Sequence, residues 1–487
     1  MQRPSSSPSD PQGNRPLPAG PAGGLFGPLF GSPAVDREIG AQAWLQALLD
    51  VESALAAAEA RAGLVPEAAA KAIAARCSAD RFDAADLARR ATSSGNPVVP
   101  LVRDLTALVP EDAKPYVHLG ATSQDIIDTA LMLIARRALG PVLADLEAAG
   151  DSCADLAARH RHTVMAGRTL MQQALPTTFG LKAAGWLVSL DQAEGALAEI
   201  RAGRLPVQFG GGAGTLASLG ADGARVVGLL AAELGLAQPI LLWHTDRVPV
   251  TWLAGALGTA AGVLSKIALD VVLLSQTEVG EVAEGGGPGR GGSSTMPHKR
   301  NPVGAVLVTA ATKRVPGLVA TLLATMSQEH ERAAGAWHAE WETLTELLRL
   351  TGGAAAHARE LVAGLSVDAG RMRENLGLTH GTIMAESVAS RLAPALGRTV
   401  AQELAARASR QAAERGISLR DALLAEPAVR EHLPDDAVEA ALDPAAYLGS
   451  AQEFIDRALG AHRRRAQAGP SADSGTDGGA DGGAAHG

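Results

Sequence analysis

Gly292-Ser293-Ser294-Thr295-Met296-Pro297-His298-Lys299-Arg300-Asn301-Pro302 packs two serines, a lysine and an asparagine into one glycine-flanked segment that two prolines stiffen. A serine alone is a poor base. With the positive field of Lys299 close by, Ser293 can be held partly as alkoxide and can take a proton from carbon next to a carboxylate. Gly285, Gly286, Gly287, Gly289, Gly291 and Gly292 favour neither helix nor strand, so the segment reads as a mobile loop that closes over an anionic substrate. The competing reading is a solvated Gly/Ser linker with a chance basic patch. Met296-Pro297 and Asn301-Pro302 speak against it, because linkers rarely stiffen a short polar run twice.

The rest of the chain supplies a helical frame for that loop. Its 487 residues exceed one typical core, and its apolar share is dominated by Ala, Leu and Val with only 3% aromatics, which suits close-packed helices. An all-α protein is expected. A net charge of −9 argues against a nucleic-acid footprint and leaves room only for a local cationic pocket. Cys77 and Cys153 lack any CxxC spacing and read as buried thiols of a reducing compartment. The Pro/Ser/Gly-rich residues 1–24 read as a disordered arm without the apolar core of a signal peptide, and 466–487 as a disordered tail. A cytoplasmic protein follows. The tract Val248 to Val279 is interrupted by Lys266, Asp270 and Glu278, which suits a buried helix better than a membrane span.

Trp44, Leu48, Val51 and Leu55 follow the three- and four-residue steps of an amphipathic helix that ends at Gly63 and Pro66. Long helical patterns run from Gln124 to Ile200, with breaks expected near Pro141 and Pro176, from Thr251 to Glu281, and from Val303 to Met326. Such lengths indicate a bundle. Smaller helices are expected near Met384–Arg391, Thr399–Glu414 and Ala451–Arg463.

Between the helices lie polar clusters. Gly120-Ala121-Thr122-Ser123-Gln124-Asp125 is either a site or a plain helix cap made by Ser123 or Asp125, the helix running to about Leu139. Arg168, Thr169 and Gln172 stand together ahead of Pro176, where the arginine can clamp a carboxylate or form a salt bridge. Phe209-Gly210-Gly211-Gly212-Ala213-Gly214-Thr215 lacks the Gly-Lys-Ser/Thr of a phosphate loop and reads as a tight turn whose N–H groups can serve an anion. Glu331 and Arg332 form either an ion pair or, through Arg332, an anion contact. His160, His162, His330 and His338 show no metal-ligand spacing, so no metal is expected. His338 is a weaker candidate on a helical face with Trp337 and Trp341.

Segments 120–125, 167–176 and 292–302 together resemble the three marked regions of the fumarase/aspartase superfamily, the last being very close to its loop GSSxMPxKxNP. The similarity runs from about Leu25 to Arg463. Within the superfamily the phrases SGNPVVPLV, GATSQDIIDTA and RTLMQQALPTTFGLKAAGW are most similar to the bacterial 3-carboxy-cis,cis-muconate cycloisomerase branch. The resemblance implies an all-α, three-domain fold: an N-terminal helical domain over 25–115, a central bundle over 116–366 with its loop at 285–302, and a C-terminal helical domain over 367–465. It implies a homotetramer that shares its active sites, a small tricarboxylate substrate, no cofactor, and neither nucleic acid nor membrane as partner. Carried over by motif, Ser293 is the proton-transfer serine, with Lys299 and Asn301 as its electrostatic and orienting partners. Thr122 and Ser123 hold a substrate carboxylate, with Asn96, Arg168, Thr169 and Gln172 nearby.

One position departs from the family pattern. Fumarate-releasing relatives read Thr-His in the second region, and here the histidine is replaced by Leu170. Hydroxide and amide leaving groups need a proton from such a group, whereas a carboxylate departs unaided. Lactonisation is therefore favoured over two alternatives, an adenylosuccinate- or argininosuccinate-type lyase and a catalytically silent helical tetramer.

Overall fold

The computed structural model describes residues 24–285, 291–292 and 295–468. Its principal elements are α1 (Ala41–Ala62), α2 (Ser123–Arg159), β1 (Val164–Thr169), β2 (Gln172–Thr178), α3 (Phe179–Gly203) and α4 (Val248–Leu274). They continue with β3 (Val282–Glu284), α5 (Val303–Ala324), α6 (Ala336–Ala363), β4 (Leu365–Val367), α7 (Ala385–Leu396) and α8 (Arg398–Arg415). Helices dominate, as the composition indicates. Most of both the arm expected over 1–24 and the tail expected over 466–487 lies outside the described residues. The last helix, Ala451–Ala468, passes the expected start of that tail at 466.

The chain divides into two compact units. One comprises Met1–Asp145, Glu199–Ala268 and Gly304–Ala358, the other Leu146–Ala198, Leu269–Val303 and Arg359–Gly487. In the first unit α1 buries Leu48, Val51 and Leu55 and stops at Gly63, whose φ of 85° is the left-handed C-cap that glycine adopts without cost. Along α4, Val250, Leu253, Leu257, Leu264 and Ile267 are all sequestered, a stripe at three- and four-residue steps. By length and composition alone α4 and α5 are each apolar enough to cross a membrane; α4 is half buried within the protein, and α5 less.

Two expectations about helix breaks are corrected. Pro141 does not break the helix: α2 runs through it to Arg159, well beyond Leu139. Ala138, Leu139, Val142 and Leu146 around the proline are almost wholly buried, and that packing offsets the roughly 3 kcal/mol a mid-helix proline costs. The second break falls earlier than Pro176 and is not a simple kink. β1 and β2 form an antiparallel hairpin in which Ala166 faces Pro176 and Thr169 faces Gln172. The all-α expectation therefore needs this hairpin and the short β3–β4 pair added to it. A smaller core gathers Val388 and Leu392 of α7 with Leu404 and Ala408 of α8, in line with the C-terminal helices expected from sequence. Burial pushes the Cys77 thiol up to about 12 and Cys153 further up, though Cys77 is only half-buried.

Candidate active site

In the first unit the site is assembled around one carboxylate. Asp125 lies in the first turn of α2 and is wholly buried. Its oxygens accept the backbone N–H of Thr122 (3.0 Å), Gly210 (2.9 Å) and Gly211 (2.8 Å), and one stands 2.7 Å from His244 Nε2. The bond to Thr122 is the helix-cap contact expected from sequence. The glycine-rich turn does lend its amides to an anion, and the anion is this chain's own Asp125.

Arg332 closes the same cluster. Its guanidinium donates to the carbonyls of Gly211 (3.1 Å) and Gly212 (2.9 Å), to Thr122 Oγ1 (3.3 Å) and to Gln124 Oε1 (3.4 Å). All four acceptors are neutral, and the ion pair with Glu331, one of the two alternatives read from sequence, is not among its contacts. Behind it, Arg247 is fully enclosed between Asp128 (2.9 and 3.0 Å) and Glu340 (2.6 Å) and lies 4.7 Å from the Trp243 ring. Burial raises the Glu340 carboxyl above its ordinary value, and Arg247 counters that shift. Trp337 Nε1 donates to Asp128 at 2.9 Å, while His338 is exposed beside Trp337 and Trp341. This buried network fixes the frame of the segment that carries His244.

A cavity of about 550 Å³ opens beside the cluster, lined among others by Thr215, Gln238, Leu241, His244, Thr245 and Glu331. That size lies within the roughly 300–1,000 Å³ range of small-molecule sites. Of the residues expected from sequence, Thr122 and Arg332 belong to this cluster, and Ser123 is the first residue of α2 between Thr122 and Gln124. Asn96 accepts the N–H groups of Val98 (3.1 Å) and Val99 (3.4 Å), capping the helix Val98–Leu108.

The second unit holds the others. Arg168 is bound bidentately by the buried Glu281 (2.6 and 2.9 Å), which also accepts from Asn375 at 2.8 Å. Its carboxylate clamp is thus filled by the protein itself. Thr169 and Gln172 flank the hairpin tip, Leu170-Met171, where both residues have positive φ (49° and 66°). Leu170, the position of the missing histidine, is 97% exposed. Asn301 donates its backbone N–H to Gly291 O at 2.9 Å and Nδ2 to the same oxygen at 3.4 Å, while Gly292 bridges to Arg300. Gly291 has φ 75°, and a Cβ there would meet Asn301 O at 2.7 Å, so only glycine fits this closure. Lys299 is exposed. Ser293 lies outside the described residues.

Sequence reasoning passed over His244, Asp128, Arg247 and Glu281. A signal existed for His244 and Arg247, since His244-Thr245-Asp246-Arg247 interrupts the apolar runs Ile240–Trp243 and Val248–Val250. Charged groups in such surroundings must find partners.

Comparison with known proteins follows the same segments. A model of the lyase family matches residues 34–317, more than half of the chain, and one of the adenylosuccinate lyase C-terminus matches 381–458. The chain belongs to the fumarase/aspartase superfamily. Among superfamily members, 3-carboxy-cis,cis-muconate cycloisomerase of Pseudomonas aeruginosa is 48% identical over 91% of this chain and 97% of its own length. Nitrosuccinate lyase of Streptomyces davaonensis is also 48% identical, over 90% of this chain and 94% of its own. The crystal structure of the 3-carboxy-cis,cis-muconate lactonizing enzyme from Pseudomonas putida superposes with a TM-score of 0.85 at 44% identity, covering 90% of this chain and 99% of that one.

Proposed function

We propose that this superfamily enzyme is a 3-carboxy-cis,cis-muconate cycloisomerase of the cytoplasm, forming 4-carboxymuconolactone in protocatechuate breakdown, the β-ketoadipate route. One carboxylate of the trianionic substrate attacks the C4 alkene carbon, and negative charge gathers on the carbon next to another carboxylate. That carbon is protonated by Ser293, alone or on behalf of another acid. Lys299 and Asn301 stabilise the developing aci-carboxylate, a contribution worth several kcal/mol once water is excluded. Thr122, Ser123 and Arg332 hold a carboxylate, with Asn96, Arg168, Thr169 and Gln172 around the substrate. The reaction calls on no cofactor or metal, and the working form is a homotetramer with shared sites.

Leu170 carries this reading. A hairpin tip with leucine in place of histidine offers no proton to a leaving group, so the substrate must be one whose departing or attacking group needs none. Carboxylate meets that condition. Nitrite meets it too, being the conjugate base of an acid about as strong as a carboxylic acid, and this gives a second reading, elimination of nitrite from nitrosuccinate. The equal identity to nitrosuccinate lyase supports it as well. Amine-releasing lyases are disfavoured by the same rule. The loop assignment is tested by Ser293→Ala, expected to lower kcat for 3-carboxymuconate at least 100-fold with thermal unfolding unchanged. Turnover equal to wild type would remove Ser293 from the mechanism.

A further inference from the structure

Resting on that reading, lactonisation turns a trianion into a dianion and so consumes one proton per turnover. A hydroxyl that gives up its proton must be recharged, and the loop's own imidazole, His298, is exposed. The cluster in the first unit holds a buried one. His244 is 5% exposed, lines the cavity, and has Nε2 fixed 2.7 Å from Asp125. Asp125 is an acceptor for three backbone N–H groups, so its natural fourth partner is a donor and Nε2 carries the hydrogen. Nδ1 is then the nitrogen whose protonation changes, and it has no protein partner among the described residues. A carboxylate that orients an imidazole and leaves its other nitrogen to a ligand is the arrangement of acid/base histidines.

We propose that His244 is the catalytic acid that delivers the proton to carbon from the cavity wall, a role separate from the leaving-group acid missing at Leu170. In the forward step the carboxylate oxygen forms its bond to C4 and the alkene π pair moves to the neighbouring carbon. There it takes the proton from Nδ1–H. One C–O and one C–H bond form, one π bond and one N–H bond break, and neutral imidazole is recharged from solvent. A hydroxyl standing between nitrogen and carbon exchanges one proton for another and leaves this balance unchanged. In reverse, or in an elimination, neutral Nδ1 takes the proton from carbon. The charged groups around the ring are Asp125, Glu331 on the cavity wall, Arg332 on the Gly211–Gly212 carbonyls, and His118, which feels Asp125 and binds Glu52 at 2.7 Å.

His244→Gln is the informative variant, because the glutamine Nε2 can still donate to Asp125 while the titrating nitrogen is lost. The full-length enzyme is assayed for loss of 3-carboxymuconate across pH 6–9. The expected result is a kcat at least 100-fold lower, KM changed only a few-fold, and loss of the limb along which wild-type kcat falls as pH rises. A variant within three-fold of wild type with the same pH profile overturns the proposal. Should wild type leave the muconate untouched, the substrate reading falls, and the dyad is judged by calorimetry. Tricarballylate binding in buffers of different ionisation enthalpy is expected to draw protons onto wild type and not onto His244→Gln. Equal proton uptake by the two proteins, or none by wild type between pH 6 and 9, refutes the role of His244.

Discussion

Asp125 illustrates what a single residue reveals locally and what it hides. Its cap contact to Thr122 is legible because both partners lie in one turn of sequence. Its other donors come from Gly210, Gly211 and His244, the last 119 residues away, and nothing near Asp125 announces them. For Arg332 the sequence left open an ion pair or an anion contact, and its neutral partners became visible only in the fold. Glu59 gives a residue-scale prediction. It is fully enclosed in α1, neither carboxyl oxygen has a partner among the described residues, and burial, reinforced by Glu52, pushes its pKa up to about 8. A raised carboxyl is protonated in the fold where the unfolded chain is already ionised. Its contribution is therefore full below the ordinary value of 4.5 and is lost as pH rises through about 8. Glu59→Gln is expected to change stability little at pH 4.5 and to stabilise by a few kcal/mol at pH 8, read by urea unfolding at both. A constant difference between the two pH values would show that Glu59 does not titrate in this way.

Among the elements, the long helices were legible from their apolar periods, and the hairpin β1–β2 was not. Its strands are short, Pro176 sits within one, and its tip is Leu170-Met171 where a two-residue turn ordinarily carries Asn-Gly. Both tip residues are in the left-handed region, a conformation that costs about 1 kcal/mol or more for each non-glycine side chain. Leu170→Asn combined with Met171→Gly is expected to stabilise the protein by about 1–2 kcal/mol in chemical denaturation. An unchanged or lowered stability would mean that the strain is absent or that the two exposed side chains are themselves in contact with something that stabilises the fold.

For the whole molecule, composition and helix lengths carried the fold class. Sequence distance hid the rest, because segments from each third of the chain enter the compact units. Assembly is argued from apolar surface left uncovered. Val306 and Leu323 of α5 are 50% and 54% exposed, on a mainly apolar helix whose charged residues are Lys313 and Arg314, and Trp252 and Leu269 of α4 are half exposed as well. Patches of this kind mark interaction surfaces. The proposed tetramer predicts a sedimentation mass about four times 49.6 kDa, falling on Leu323→Asp; a monomer at micromolar concentration would exclude it.

The reaction itself is decided by a comparison of two substrates. Purified protein is given 3-carboxy-cis,cis-muconate and, in parallel, nitrosuccinate, and kcat/KM is measured from ultraviolet loss of the diene and from nitrite release. Preferential consumption of the muconate, with one proton taken up per molecule and no fumarate formed, is the predicted result. Preferential nitrite release, or fumarate as product with the muconate untouched, would contradict it.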